Sequence, residues 1–105
     1  MLERGMKPVH PGNILKEMYL NPLGVSLTDL ANNLGVAGRT ISLLVNGHTG
    51  ISAAMALPLS KAFHISPELW LNMQQRYDLW NAGRKISLGK IRHFLPPPSE
   101  RSSLS

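Results

Sequence analysis

Apolar residues recur along this chain at helical spacing, in short runs separated by Gly, Pro and Asn, and the pattern predicts an all-α fold. The clearest stretch is residues 26–47, SLTDLANNLGVAGRTISLLVNG. Leu27, Leu30, Ala31 and Leu34 put one apolar stripe on a short helix whose other side holds Thr28, Asp29, Asn32 and Asn33. Ser26 is placed to cap it, with Asp29 three residues on, an S-x-x-D variant of the capping box whose acid suits the positive helix end. Gly35 supplies the positive φ that a sharp turn needs. A second helix over 37–45 buries Val36, Ile41 and Leu44 and turns Arg39, Thr40, Ser42, Leu43 and Asn46 outward before Asn46-Gly47 stops it.

Two short helices joined around a glycine read as a helix-turn-helix, in which the second helix lies in the major groove of DNA. The small Ala31 lets the two axes approach. The spacing alone leaves open an ordinary αα-hairpin of a helical bundle, which uses the same periodicity and the same glycine. Upstream, Ile14, Leu15, Met18 and Tyr19 predict a first helix over 11–20, with Pro11 in its first turn and Asn21-Pro22-Leu23-Gly24 as its end; its task is to cover the helix-turn-helix core. Residues 1–8 are expected to be extended or frayed, with Met6 an alternative start.

Downstream, His48-Thr49-Gly50 forms a loop, Ser52 is a second cap candidate, and a helix rich in Ala and Leu runs to Phe63. Pro58 lies inside it. A mid-helix proline costs about 3 kcal/mol, so a kink near 54–57 or two shorter helices are expected. Ser66-Pro67-Glu68 starts a last helix, expected to reach Asn81 and stop at Ala82-Gly83. This helix is more apolar than one buried stripe requires. Trp70, Tyr77 and Trp80 are expected to leave an aromatic patch that forms a dimer or partner interface; the alternative is that Trp70 and Tyr77 cap the core of the same chain.

The composition narrows the function. The chain has 105 residues, enough for one small domain, and no cysteine, which removes disulfides and thiolate metal sites. No signal peptide and no membrane-length apolar run is present, so a cytoplasmic, nucleoid-associated protein without a membrane partner is expected. The net charge of +5 favours a polyanionic partner, although residues 1–50 carry four Lys/Arg against three Asp/Glu and residues 51–105 carry seven against three. The excess therefore lies mostly outside the second helix of the helix-turn-helix. From Arg84 on, the composition becomes basic, then Pro- and Ser-rich, which divides the chain into a domain over 1–83 and a tail over 84–105. Pro96-Pro97-Pro98 and the Ser-rich end are expected to be disordered or polyproline-like, and residues 85–95 either order on a partner or stay a solvated basic tail. His10, His48, His64 and His93 lack metal-ligand spacing and the six acids form no evident pair, so no metal, cofactor, small-molecule substrate or enzymatic activity is expected.

The run MKPVHPGNIL, the helix-turn-helix, VNGHTGIS and FHISPELWLNMQQRYDLW together resemble the HigA antitoxins, a branch of the Xre/Cro-CI group of λ-repressor-like proteins, over residues 6–82. The resemblance implies a λ-repressor-like five-helix domain followed by a flexible basic tail. It also implies a homodimer that represses its own promoter by binding operator DNA and that neutralises a HigB/RelE-like toxin, an mRNA-cleaving ribonuclease. Carried over by position, it puts Arg39, Thr40, Ser42 and Leu43 at base edges and Ser26, Thr28, Asn46, His48 and Thr49 at the DNA backbone. This chain departs from the pattern where many relatives carry several Arg or Lys: it has Ala37, Gly38, Leu43, His48 and Thr49 there, and Arg39 alone is basic. Weaker DNA binding, or reliance on basic residues 84–92 for phosphate contacts, is expected. Two alternatives follow: a toxin-binding module with little operator recognition, and a free-standing Xre-type repressor.

Overall fold

The computed structural model describes residues 7–101. The expectations for residues 1–6, including the alternative start at Met6, and for the Ser-rich end at 102–105 lie outside the described residues. Helix α1 is one rod of three parts, α-helical over Pro11–Ile14, π-helical over Leu15–Leu20 and α-helical again over Asn21–Leu23. The rod runs three residues past Leu20, its expected last residue, through Asn21 and Pro22. In the π turn the Asn21 N–H reaches back five residues to the Lys16 carbonyl. This moves the carbonyl ladder out of the ordinary register just ahead of Pro22, whose ring and missing N–H would otherwise interrupt it. The rod ends at Gly24, the last residue of the expected stop, at φ 68°.

Helices α2 (Leu27–Leu34) and α3 (Gly38–Val45) form the expected helix-turn-helix. Ser26 Oγ accepts the Asp29 N–H at 3.0 Å, and Gly35 turns the chain at φ 73°. Helix α4 (Ala53–Phe63) is capped by Ser52, whose Oγ accepts the Met55 N–H at 3.3 Å. It is not divided at Pro58, which lies inside it. Helix α5 (Pro67–Lys85) starts at Ser66 as the sequence implies, with a cap bond to the Leu69 N–H of 3.1 Å. It passes through Gly83 and ends four residues beyond Asn81, so the change of composition at Arg84 is not a boundary between elements. Arg84 and Lys85 in the last turn suit the negative end of the helix dipole, and the Arg84 guanidinium stacks 4.6 Å from the Trp80 ring. Residues 86–97 carry no regular structure, and where three prolines were expected to extend, Pro98 instead opens a single turn, α6 (Pro98–Arg101). The described residues contain no strand.

The core is formed where α1, α3 and α5 meet α2 and α4, around Leu15, Leu30, Ile41, Leu44, Leu59 and Trp70. Trp70 is 0 % exposed, packed beside Tyr19 at 5.8 Å between ring centroids. That corrects its expected place at a dimer interface: it is the largest side chain of the protomer core and presents nothing to a partner. Its indole Nε1 has no hydrogen-bond partner among the described residues.

Candidate nucleic-acid interface

At about 100° per residue, Ile41, Leu44 and Val45 occupy one side of α3 and are buried, while Ser42, Arg39, Leu43 and Thr40 fall within roughly 160° on the other side. Arg39 and Thr40 are exposed and Ser42 and Leu43 half-buried, so the four share one outward arc. Ser26, Thr28, Asn46, His48 and Thr49 are all exposed around it. Ser26 stands at the N-terminus of α2, and because its Oγ accepts the cap bond its hydroxyl proton remains available to a phosphate oxygen. Asn46 Nδ2 donates to Ser42 Oγ at 3.5 Å. The loop after α3 is tied to the last turn by the Gly47 N–H to Leu44 O bond at 3.1 Å and the His48 N–H to Leu43 O bond at 2.9 Å.

A second layer sets the position of this loop and of α3. His10 caps α1, its Nδ1 accepting the Gly12 N–H at 2.9 Å, and its ring also hydrogen-bonds the Thr49 carbonyl. With Nδ1 an acceptor, the neutral ring carries its proton on Nε2 and donates it to Thr49. The ring meets Tyr77 edge-on at 4.8 Å. Burial lowers the His10 pKa below its ordinary value, more than Asp78 and the Thr49 bond raise it, and Lys7 adds to the lowering. Gly12 lies against the end of α3 so closely that a Cβ there would stand 1.9 Å from the Leu44 carbonyl oxygen. On the far side of the loop, Gln74 is 7 % exposed, its Oε1 accepts the Ile51 N–H at 2.9 Å and its Nε2 donates to Asp78 Oδ1 at 2.9 Å. A Cβ on Gly50 would stand 2.8 Å from Gln74 Cδ. The HPG, VNG-HTG and Q-x-x-YD segments thus converge on one joint that locks the loop after α3 between α1 and α5. Sequence reasoning assigned no role to His10 or Gln74; the only signal was their place within the motifs.

The remaining predicted interface residues lie beyond this joint. Tyr77 and Trp80 are half-buried, with Lys7 Nζ 5.6 Å from the centre of the Tyr77 ring and 5.9 Å from that of Trp80. Among the described residues no group of three His, Asp or Glu is arranged to hold a metal ion, and no helix is long and apolar enough to cross a membrane.

A family model described as Helix-turn-helix matches residues 15–70, which spans α2, α3 and α4. The chain belongs to this Xre-like helix-turn-helix family. It is 45 % identical to an uncharacterized HTH-type transcriptional regulator of Haemophilus influenzae, over 71 % of this chain and 70 % of that protein. It is 40 % identical to antitoxin HigA-1 of Vibrio cholerae, again over 71 % and 70 %. Among solved structures it is similar to antitoxin GraA, with a TM-score of 0.82 and 39 % identity over 86 % of this chain and all of that one. The similarity holds for GraA in complex with its operator, at a TM-score of 0.79 over 91 % of this chain. The helix-turn-helix family is one of non-enzymatic DNA-binding folds, and the HigA resemblance read from the motifs is borne out by these relatives.

Proposed function

We propose that this chain is the antitoxin of a type II toxin–antitoxin pair. As a homodimer it binds operator DNA in its own promoter through α3, represses transcription, and neutralises a HigB/RelE-like mRNA-cleaving toxin. The observation that carries the reading is the outward arc of Arg39, Thr40, Ser42 and Leu43, held at a fixed angle by the joint of His10, Gly12 and Gln74. Arg39 reads a guanine edge, and Ser26, Thr28, Asn46, His48 and Thr49 hold the flanking phosphates. The similarity of GraA bound to its operator over nearly the whole chain supports this assignment. Dimerisation through the Tyr77 and Trp80 side of α5 puts two copies of α3 on half-sites about 34 to 36 Å apart, one DNA turn. The protein works in the cytoplasm at the nucleoid. Its functional unit runs to the end of α5, and the basic tail adds phosphate contacts.

Co-expression of the chain with the adjacent reading frame, followed by purification and a gel-shift titration on the upstream promoter, tests the proposal. A co-purifying basic ribonuclease and a shift at moderate salt are expected. One specific observation favours a second reading, a toxin-binding module with little operator recognition: α3 carries a single cation, Arg39. Toxin binding without any shift would select it, and a shift without a second chain would select a free-standing repressor.

A further inference from the structure

Beside the outward arc of α3 lies a pocket of about 290 Å³, bounded by Thr40 and Leu43 of α3, Thr49 and Gly50 of the loop, and Ser52 and Met55 at the start of α4. Its lining is mostly apolar. Leu43 and Met55 are apolar residues of that lining and both are half-buried; Met55 also packs against the core. The position of the pocket decides what can enter it. It sits between a residue of the base-reading set, Thr40, and one of the backbone-holding set, Thr49, so a duplex engaged by both brings the edge of a base pair to its mouth. The major-groove edges of the four bases present donors and acceptors, and only one apolar substituent, the C5 methyl of thymine. An apolar pocket facing that edge gains nothing from a polar group, which would lose its water without a replacement bond.

We infer that this pocket seats the C5 methyl of one thymine in each operator half-site, and that Met55, which lies outside the helix-turn-helix, is a specificity-determining residue together with Leu43. The inference rests on the operator-binding reading above. It also accounts for a recognition helix with one cation: part of the sequence discrimination is apolar, and Leu43 is there to read a methyl group.

The test uses the full-length chain and duplexes enriched by it from a random-sequence pool, together with its own upstream promoter. Each thymine of the bound duplex is replaced in turn by deoxyuridine, which removes the methyl and nothing else. At one position per half-site the replacement is expected to weaken binding about fourfold, the worth of one buried methyl group, and about fifteenfold when both half-sites are changed. Met55→Ala and Leu43→Ala are expected to bind the thymine duplex more weakly and to lose the uracil penalty, while Met55→Leu, which keeps the lining apolar, retains it. Helical melting curves identify any variant that has not folded, and the wild-type uracil series stands without the variants. A series flat within 1.5-fold at every thymine overturns the inference, as does a uracil penalty undiminished in folded Met55→Ala and Leu43→Ala, which would place its origin in the shape of the DNA. A chain that enriches no sequence from the pool and does not bind the promoter overturns the operator reading itself.

Discussion

His10 is held on both ring nitrogens, and only the neutral ring can make both bonds. Protonation of Nδ1 would turn the acceptor of the Gly12 N–H into a second donor and remove the cap of α1. Burial keeps the His10 pKa of the folded state below the ordinary value of 6.5 that the unfolded chain has. Between those two values the unfolded chain binds more protons, so stability rises with pH across that window. It is fully present above pH 6.5 and is lost as the pH falls through the folded value. Thermal melts between pH 5 and 8 should show this slope, and His10→Asn, which retains a capping acceptor but does not titrate, should flatten it; an unchanged slope would place its origin elsewhere. Gly12 tests the same joint by shape. A Cβ on Gly12 would overlap the Leu44 carbonyl oxygen, a backbone atom, so no side chain can move aside to admit it. Gly12→Ala should therefore cost about 3 kcal/mol or more in chemical denaturation, at the upper end for overpacking. Arg39 is the residue whose effect belongs to DNA alone, because it is exposed and outside the core. Arg39→Ala should lower operator binding by about 1 to 3 kcal/mol and leave non-specific binding nearly unchanged; an equal fall in both would make Arg39 a phosphate contact.

Helix α5 shows how an element can override its local signals. Gly83 was expected to end it, yet the helix continues to Lys85. Nothing lies within 4 Å of a Cβ built at Gly83, and its φ is not in the positive range, so Gly83→Ala should stabilise the protein by about 0.5 to 1 kcal/mol in a denaturant titration. A destabilised variant would mean that the last turn is not helical in solution. The same element separates what was legible in the sequence from what was not. Ser26, Ser52 and Ser66 were readable as helix starts because a cap bond spans only three residues, and the outward arc of α3 was readable because periodicity alone sets it. The stop expected at Gly83 and the division into two helices at Pro58 did not occur, and a π turn carried the first helix past Pro22 to the last residue of its expected end, because a local preference can be outweighed. Trp70 was misplaced because α5 carries apolar residues around much of its surface, and only the contacts of α1 and α4 decide which of them faces inward. The His10 and Gln74 joint was not legible at all. The bond from Ile51 to Gln74 spans 23 residues, and no local pattern announces it.

At the scale of the whole molecule the same joint links two surfaces that must act together. Gln74 holds the loop after α3 from one side, and Tyr77 and Trp80 continue along α5 beyond it. Removing Trp70 from the expected dimer patch leaves these two rings, each with a cation near it: Lys7 beside both, and Arg84 stacked on Trp80. Such a rim limits what can dock there. A second α5 brings another aromatic pair whose faces attract those cations, whereas a strongly basic partner meets repulsion. Trp80 is only partly buried and lies outside the core, so its replacement should change assembly and leave folding intact. Trp80→Glu is therefore expected to sediment as a monomer with unchanged helical circular dichroism. Because two half-sites are then no longer engaged by one linked pair, operator affinity should fall by a factor on the order of 100 even though every base-reading residue is present. A variant that remains dimeric and binds normally would exclude this face of α5 from the dimer. A loss of helical signal would assign Trp80 to the core instead, and the requirement that α5 set the spacing between the two copies of α3 would then fall on a different surface.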